Sequence, residues 1–305
     1  MRVHVLGSAA GGGFPQWNCN CRNCDGVRRG TLNAKRRTQS SIALSADGAG
    51  WLLCNASPDI LQQLQQFPAL QPARALRDTA INGVLLIDAQ IDHATGLYML
   101  REHRQKLPLW CTTPVFDDLT RGNPILELLK HYCGVDRHEI PLDARPFAMP
   151  AMPGLQFTAI PLISNAPPYS PHRDDPVPGD NIGLLVRSLD SGRSLFYAPG
   201  LGRMEPPVWS AMRSADVVLV DGTCWRDDEL VALGASKKTA RDMGHLPQTG
   251  AGGMLQWLGE LPAGARRILI HINNTNPILD EDGAEYAQLR AAGVEVAYDG
   301  MEIEL

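Results

Sequence analysis

A chain of 305 residues that is 44% hydrophobic and 20% charged has apolar material for a large core, in one domain or two. Its formal net charge of -5 and the absence of any extended lysine or arginine run exclude the basic footprint of a nucleic-acid-binding surface. No apolar stretch approaches the roughly 20 residues of a bilayer-spanning helix, and the start lacks the apolar run and cleavage site of a secretory signal. A cytoplasmic protein with neither nucleic-acid nor membrane partner is expected.

In chain order, Val3–Leu6 reads as a short strand running into a glycine turn, and Gly11-Gly12-Gly13 as a flexible turn without the lysine of a phosphate loop. Trp51–Cys54 is a second strand. Ser57-Pro58-Asp59 before Ile60–Leu64 offers a capping serine, a proline at the first helical position and apolar residues at helical spacing. Further strands are expected at Val84–Ile87, Ile182–Val186, Ser194–Tyr197, Val217–Val220 and Ile268–Ile270, and helices at Thr95–Lys106, Asn123–His131, Gln248–Gly259 and Gly283–Ala292. Hairpin-like strand pairs alternating with helices in both halves favour sheet layers flanked by helices over an all-parallel barrel. Residues 164–180 carry Pro167, Pro168, Pro171, Pro176 and Pro178; a long proline-rich loop in a compact protein is usually the lid or wall of a site.

Seven cysteines do not suggest a disulfide framework. Cys54, Cys111, Cys133 and Cys224 lie singly in or beside apolar stretches and read as small hydrophobic residues. Cys19, Cys21 and Cys24 fall within six residues, a spacing that in a reducing compartment points to structural zinc with a fourth ligand still to be found.

Four apolar runs end in polar side chains: Asn55, Asp88, Asp221 and His271. Such groups at the ends of buried strands need partners, and together they suggest one site beyond the sheet edge. The richest end is Asp88-Ala89-Gln90-Ile91-Asp92-His93. Asp92, His93 and His271 offer two imidazoles and a carboxylate, a set that suits non-haem iron(II) and oxygen chemistry or a catalytic zinc with bound water. Asp221 could be a fourth ligand or an acceptor that orients a histidine.

These residues resemble the metallo-β-lactamase superfamily, whose signature is His-x-His-x-Asp-His before a helix. The resemblance implies a single domain over residues 1–305 with the α/β (α+β) fold of that superfamily, a four-layer αββα sandwich carrying a zinc-binding loop at 19–24. Asp92 and His93 match the signature, Asp221 the family's bridging aspartate and His271 its last metal histidine. Asp88 and Gln90 stand where the first two histidines would be, so the half-site they would build is dismantled. The family's middle histidine has no clear counterpart; Asn165 is nearest, and His172 lies in the proline-rich loop. Residues 240–245 resemble the Gly-His segment of the ribonuclease Z branch, which implies that His245 lies by the active site as a proton donor or acceptor. Related phosphonate-pathway phosphodiesterases complete a similar three-cysteine site from just beyond the last active-site histidine, which implies Asn274 as the fourth ligand.

The altered motif, the cysteine cluster and His271-Ile272-Asn273-Asn274-Thr275-Asn276-Pro277 are most similar to the branch that serves pyrroloquinoline quinone biosynthesis. That similarity implies iron(II), with zinc able to replace it, and dioxygen-dependent hydroxylation of the tyrosine ring in a cross-linked glutamate–tyrosine intermediate. Catalytic roles are then expected for His245, Asp88, Gln90 and Asp221. The partners are the small-molecule substrate and dioxygen, with a second copy of the chain as the one protein partner considered. A soluble carrier of the quinone or its precursor and a mononuclear hydrolase are the competing readings.

Overall fold

The computed structural model describes all of residues 1–305. Six strands come first: β1 (Arg2–Gly7), β2 (Ser41–Ser45), β3 (Trp51–Cys54), β4 (Ile81–Leu85), β5 (Leu107–Cys111) and β6 (Val135–Glu139). The second half supplies β7 (Phe147–Ala148), β8 (Leu155–Pro161), β9 (Ile182–Ser188), β10 (Ser194–Ala198), β11 (Val217–Asp221), β12 (Arg266–Ile270) and β13 (Val294–Val296), and the chain ends in β14 (Glu302–Glu304). They form two seven-stranded sheets, β14-β1-β2-β3-β4-β5-β6 and β13-β12-β11-β10-β9-β8-β7.

Strand side chains alternate between faces, and this sorts the layers. Leu52 and Cys54 join Tyr197, Leu219 and Ile268 in a core shared by both sheets. Trp51 and Leu53 point the other way, towards the helix Ile60–Gln66 and the segment around Leu97 and Leu126. On the far side, Val218, Val220 and Leu269 pack against the helices Pro206–Ser214, Met254–Gly259 and Ala284–Ala291. The result is the expected four-layer αββα sandwich. No helix is long and apolar enough to cross a membrane.

Local details depart from the expectations. The helix expected at Thr95–Lys106 is an α-turn at Ile91–Ala94 followed by a 3-10 segment ending at Leu100. Gly96 explains the tightening: a Cβ there would lie 2.2 Å from the Ser57 carbonyl oxygen and 2.6 Å from that of Ala56, so this turn is pressed onto the end of β3. The helix expected from Gln248 starts only at Met254, because Gly250 and Gly252 take positive φ in the preceding turn. That expected at Asn123–His131 is confined to Ile125–Leu129. Ser57 does not cap its helix. Its hydroxyl accepts from Asp59 N (3.2 Å), while the helix begins at Ile60.

Candidate metal centre

Within each sheet β3 and β4, and β11 and β12, run parallel, so their C-terminal ends lie on one side. The sheets meet there. Ile182 N donates to Ile87 O (2.9 Å), and the N-terminal loop pairs with the segment after β12 through Ala10 N to Ile272 O and Ile272 N to Ser8 O (both 2.9 Å). Asn55 and His271 occupy the left-handed region, φ 69° and 61°, where the chain leaves β3 and β12. For non-glycine residues this is costly backbone, held only by the surrounding bonds. Asn55 fixes the end of β4, its N donating to Leu85 O (2.8 Å) and its Oδ1 accepting from Ile87 N (3.3 Å).

The structure brings Asp92, His93 and His271 together, with one ligand atom of each within 4.8 Å of the others. Asp92 Oδ2 lies 3.1 Å from His271 Nε2 and 3.8 Å from His93 Nε2. His93 is buried, and both Asp88 oxygens face its Nδ1 at 2.8 and 2.9 Å. Asp88 therefore does not stand as a weak ligand at a vacated position. It holds the ring so that Nε2 carries the free lone pair, and that nitrogen is buried with no hydrogen-bond partner. Burial alone would lower the His93 pKa, but Asp88 and Asp92 outweigh it and raise it to about 9. Burial likewise opposes ionisation of Asp92, yet His93 and His271 hold its carboxyl well below the usual range. A buried pocket that so favours positive charge, with an unpartnered nitrogen, fits a divalent cation.

Asp221 serves a second histidine. Its Oδ2 accepts from His245 Nδ1 (2.7 Å) and Leu201 N (2.9 Å), and its Oδ1 from Thr223 N (2.9 Å). These are the contacts of an acceptor, and Asp221, His245 and His271 also bring one ligand atom each within 4.8 Å of one another, a second group that shares His271 with the first. Against the effect of burial, Asp221 raises the His245 pKa. The His245 ring stacks 5.2 Å from that of His271, and its Nε2 has no protein partner. Thr223 was missed in the sequence. Its hydroxyl donates to His271 O (3.0 Å) and so accepts from His271 Nδ1 (2.9 Å), which leaves Nε2 of that ring directed at Asp92. A threonine two residues past a strand carries no signal of this role.

The proline-rich loop is a wall of the site. Gln90 Nε2 donates to Asn165 O (3.1 Å) and Tyr169 donates to Ala89 O. Gln90 is thus spent on the loop. The Asn165 amide donates to Asp242 O (2.9 Å), and neither Asn165 nor His172 joins the histidine cluster. At its far end the loop is held by two buried carboxylates. Ser170 Oγ donates to Asp118 Oδ1 (2.5 Å) and Val177 N to Asp180 Oδ2 (2.7 Å), while Asp118 Oδ2 and Asp180 Oδ1 are buried without partners. Burial raises both pKa values, that of Asp118 to about 6. The folded state therefore binds protons more tightly than the unfolded chain, so the contribution of Asp118 to stability falls as pH rises from about 4 to about 6. Asp118→Asn should remove that slope. In denaturation at pH 4.5, 6.0 and 7.5 the variant should gain on the wild type with rising pH; a constant difference would refute the assignment.

Cys19, Cys21 and Cys24 form a second group able to hold a metal, and Asn274 closes it. Its amide nitrogen lies 3.0, 3.7 and 3.4 Å from the three sulfurs in turn. The two ends of an amide have the same shape, so rotation of this group presents Oδ1 to the same centre. Cys54, Cys111 and Cys224 are buried, and Cys133 is partly so.

The beta-lactamase superfamily domain matches residues 50–272. Coenzyme PQQ synthesis protein B of Azoarcus sp. (strain BH72) is 67% identical over 305 residues, all of both chains, and that of Methylobacillus flagellatus 61% over 306, again all of both. The crystal structure of zinc-bound PqqB from Methylobacterium extorquens superposes with a TM-score of 0.91 at 37% identity, covering 100% of each chain. A diphosphatase of the PhnP family shares the fold, with a TM-score of 0.68 at 17% identity over 100% of this chain and 98% of its own. The chain belongs to the coenzyme PQQ synthesis protein B family, within the beta-lactamase superfamily.

Proposed function

We propose that the chain takes part in coenzyme PQQ synthesis as an iron- and oxygen-dependent hydroxylase, acting on the tyrosine ring of a cross-linked glutamate–tyrosine intermediate. The part in PQQ synthesis rests on the relatives' name. The chemistry rests on one observation: two imidazoles and one carboxylate converge on a single centre, while Asp88 and Gln90, where a second metal's ligands would stand, are engaged with His93 and Asn165. Asp92, His93 and His271 would hold the metal, and the zinc of the Methylobacterium extorquens relative supports a metal in this family. Bound there, iron(II) would supply the binding and reduction of dioxygen. In the overall reaction one oxygen atom enters a ring C–H bond and the other leaves as water, with two electrons and two protons from an external reductant.

The protein's own contribution is positional. Asp88 and Thr223 fix the ligating rings, and His245, aligned by Asp221, receives the proton released from the ring carbon at Nε2. The residues 164–180 wall off one side from water. Cys19, Cys21, Cys24 and Asn274 would hold a separate structural zinc.

The test is to load the protein anaerobically with iron(II) or zinc and add the synthetic cross-linked amino acid, a reductant and 18O-labelled dioxygen. Iron-dependent oxygen uptake with label in the ring is expected. Tight binding without oxygen use would favour the carrier, and oxygen-independent product would favour the hydrolase.

A further inference from the structure

A cleft of about 630 Å3 opens one residue along the chain from His245. Gly244, next to His245, and Asn165, which holds Gln90, form its side towards the centre. Pro176, Val177 and Pro178 of the proline-rich loop line it as well. Three charged side chains also line it: Arg203, Arg241 and Glu205.

Where this molecule pairs an arginine tightly it does so with a carboxylate, as where Arg266 grips Glu295 through two bonds of 2.6 and 2.8 Å. Arg203, exposed, makes neither a hydrogen bond nor an ion pair, and the half-buried Glu205 carboxylate is equally free. Arg241 is loosely tethered, its Nε 4.0 Å from Asp227 and its Nη2 3.4 Å from Ala251 O. The backbone carrying Arg203 is fixed against the site. Leu201 N donates to Asp221, and a Cβ at Gly202 would lie 2.7 Å from Ile163 O and 3.0 Å from Gly244 O.

Two guanidiniums, one free and one loosely held, and a free carboxylate match the charges of an α-amino acid, since a planar guanidinium suits a carboxylate and a carboxylate suits an ammonium. We propose that this cleft binds the amino-acid end of the substrate, with Arg203 and Arg241 receiving its carboxylate and Glu205 its ammonium, so that the ring reaches the metal. This rests on the reading of the centre as acting on a tyrosine-derived ring. It adds what selects that substrate over a simple phenol.

The test uses zinc-loaded protein, in which no oxygen chemistry intervenes, and three catechol probes whose ring oxygens can anchor on the metal. L-DOPA carries both charges, dopamine lacks the carboxylate, and 3,4-dihydroxyphenylpropionate lacks the ammonium. By calorimetry the wild type should bind L-DOPA about tenfold or more tighter than dopamine, the value of a charge-assisted hydrogen bond. Arg203→Ala should erase that gap by weakening L-DOPA, and the propionate with it, while dopamine binding is unchanged. Glu205→Gln should erase the gap between L-DOPA and the propionate. Zinc content is measured in each variant to show that the centre is intact. A wild type that does not distinguish L-DOPA from dopamine overturns the inference, as does a gap that survives in the Arg203→Ala, Arg241→Ala double variant. If the gaps behave as expected but the iron-loaded protein consumes no oxygen, the subsite stands and the hydroxylase reading falls.

Discussion

Asp92→Ala, His93→Ala and His271→Ala are each expected to abolish tight metal binding at the centre and all turnover that depends on it. The three side chains come from the turn after β4 and the end of β12, and the nearby His245 ring, whose Nε2 is free, is held by Asp221 through Nδ1 rather than turned towards Asp92 and His93 as a third ligand of their group. Asp88→Asn should do less, and differently. It keeps the shape but removes the anion that fixes His93 Nδ1 as a donor, so affinity should fall about 10- to 100-fold without disappearing, the usual cost of losing a group that orients a metal ligand. Iron and zinc titrations by calorimetry separate these grades, with the cysteine-bound metal counted by elemental analysis as an internal reference. Unchanged affinity in all three alanine variants would sink the ligand assignment. Equal losses in Asp88→Asn and His93→Ala would mean that Asp88 itself binds the metal.

The centre was readable in the sequence to the extent that its ligands sit where strands end. Asp92 and His93 are adjacent, and Asp221 and His271 each terminate an apolar run, so strand patterning alone carried them to one edge. What the patterning could not carry is who bonds to whom. Asp88 and His93 are five residues apart, a spacing of neither helix nor strand. Their contact follows from a turn that Gly96 presses onto β3, and that constraint becomes visible only when Ala56 and Ser57 are in place. Thr223 bridges 48 residues to His271, and nothing local marks it. Among the strands that escaped notice, β6, Val-Asp-Arg-His-Glu, is an edge strand with mostly exposed polar side chains, so no apolar alternation announces it, whereas β2, β5 and β8 are largely buried and lack that excuse. The proline-rich loop was legible as a wall because proline content is a property of the segment itself, whereas its latches, Asp118 among them, come from distant positions.

Cys21→Ser is expected to lower stability, release the structural metal and weaken the catalytic centre together. Cys21 has two local roles, since its sulfur also accepts from Cys24 N (3.5 Å) as the cap of the helix Arg22–Arg29. Through that helix the cluster is tied to the chain beyond β12, for Asn23 Nδ2 donates to Asn274 O (3.1 Å) and Asn276 O (2.9 Å). Asn276 in turn donates to Gly222 O (2.9 Å) and Thr223 O (3.2 Å), and Thr223 holds His271. The path from a cysteine sulfur to a catalytic ligand is therefore a short run of buried hydrogen bonds. Loss of one thiolate from a zinc site that contributes folding energy should cost on the order of 3–5 kcal/mol and lower Tm by roughly 5–15 °C. Because His271 would lose its support, iron affinity at the centre should also fall, although no centre ligand is altered. Cys133→Ser, outside the cluster, is the control and should leave both metals in place. Thermal denaturation paired with elemental analysis decides the matter. An unchanged melting curve with full zinc would show that the cluster carries no structural metal, and a stability loss with the iron affinity untouched would show that the two centres are not coupled through Asn276 and Thr223.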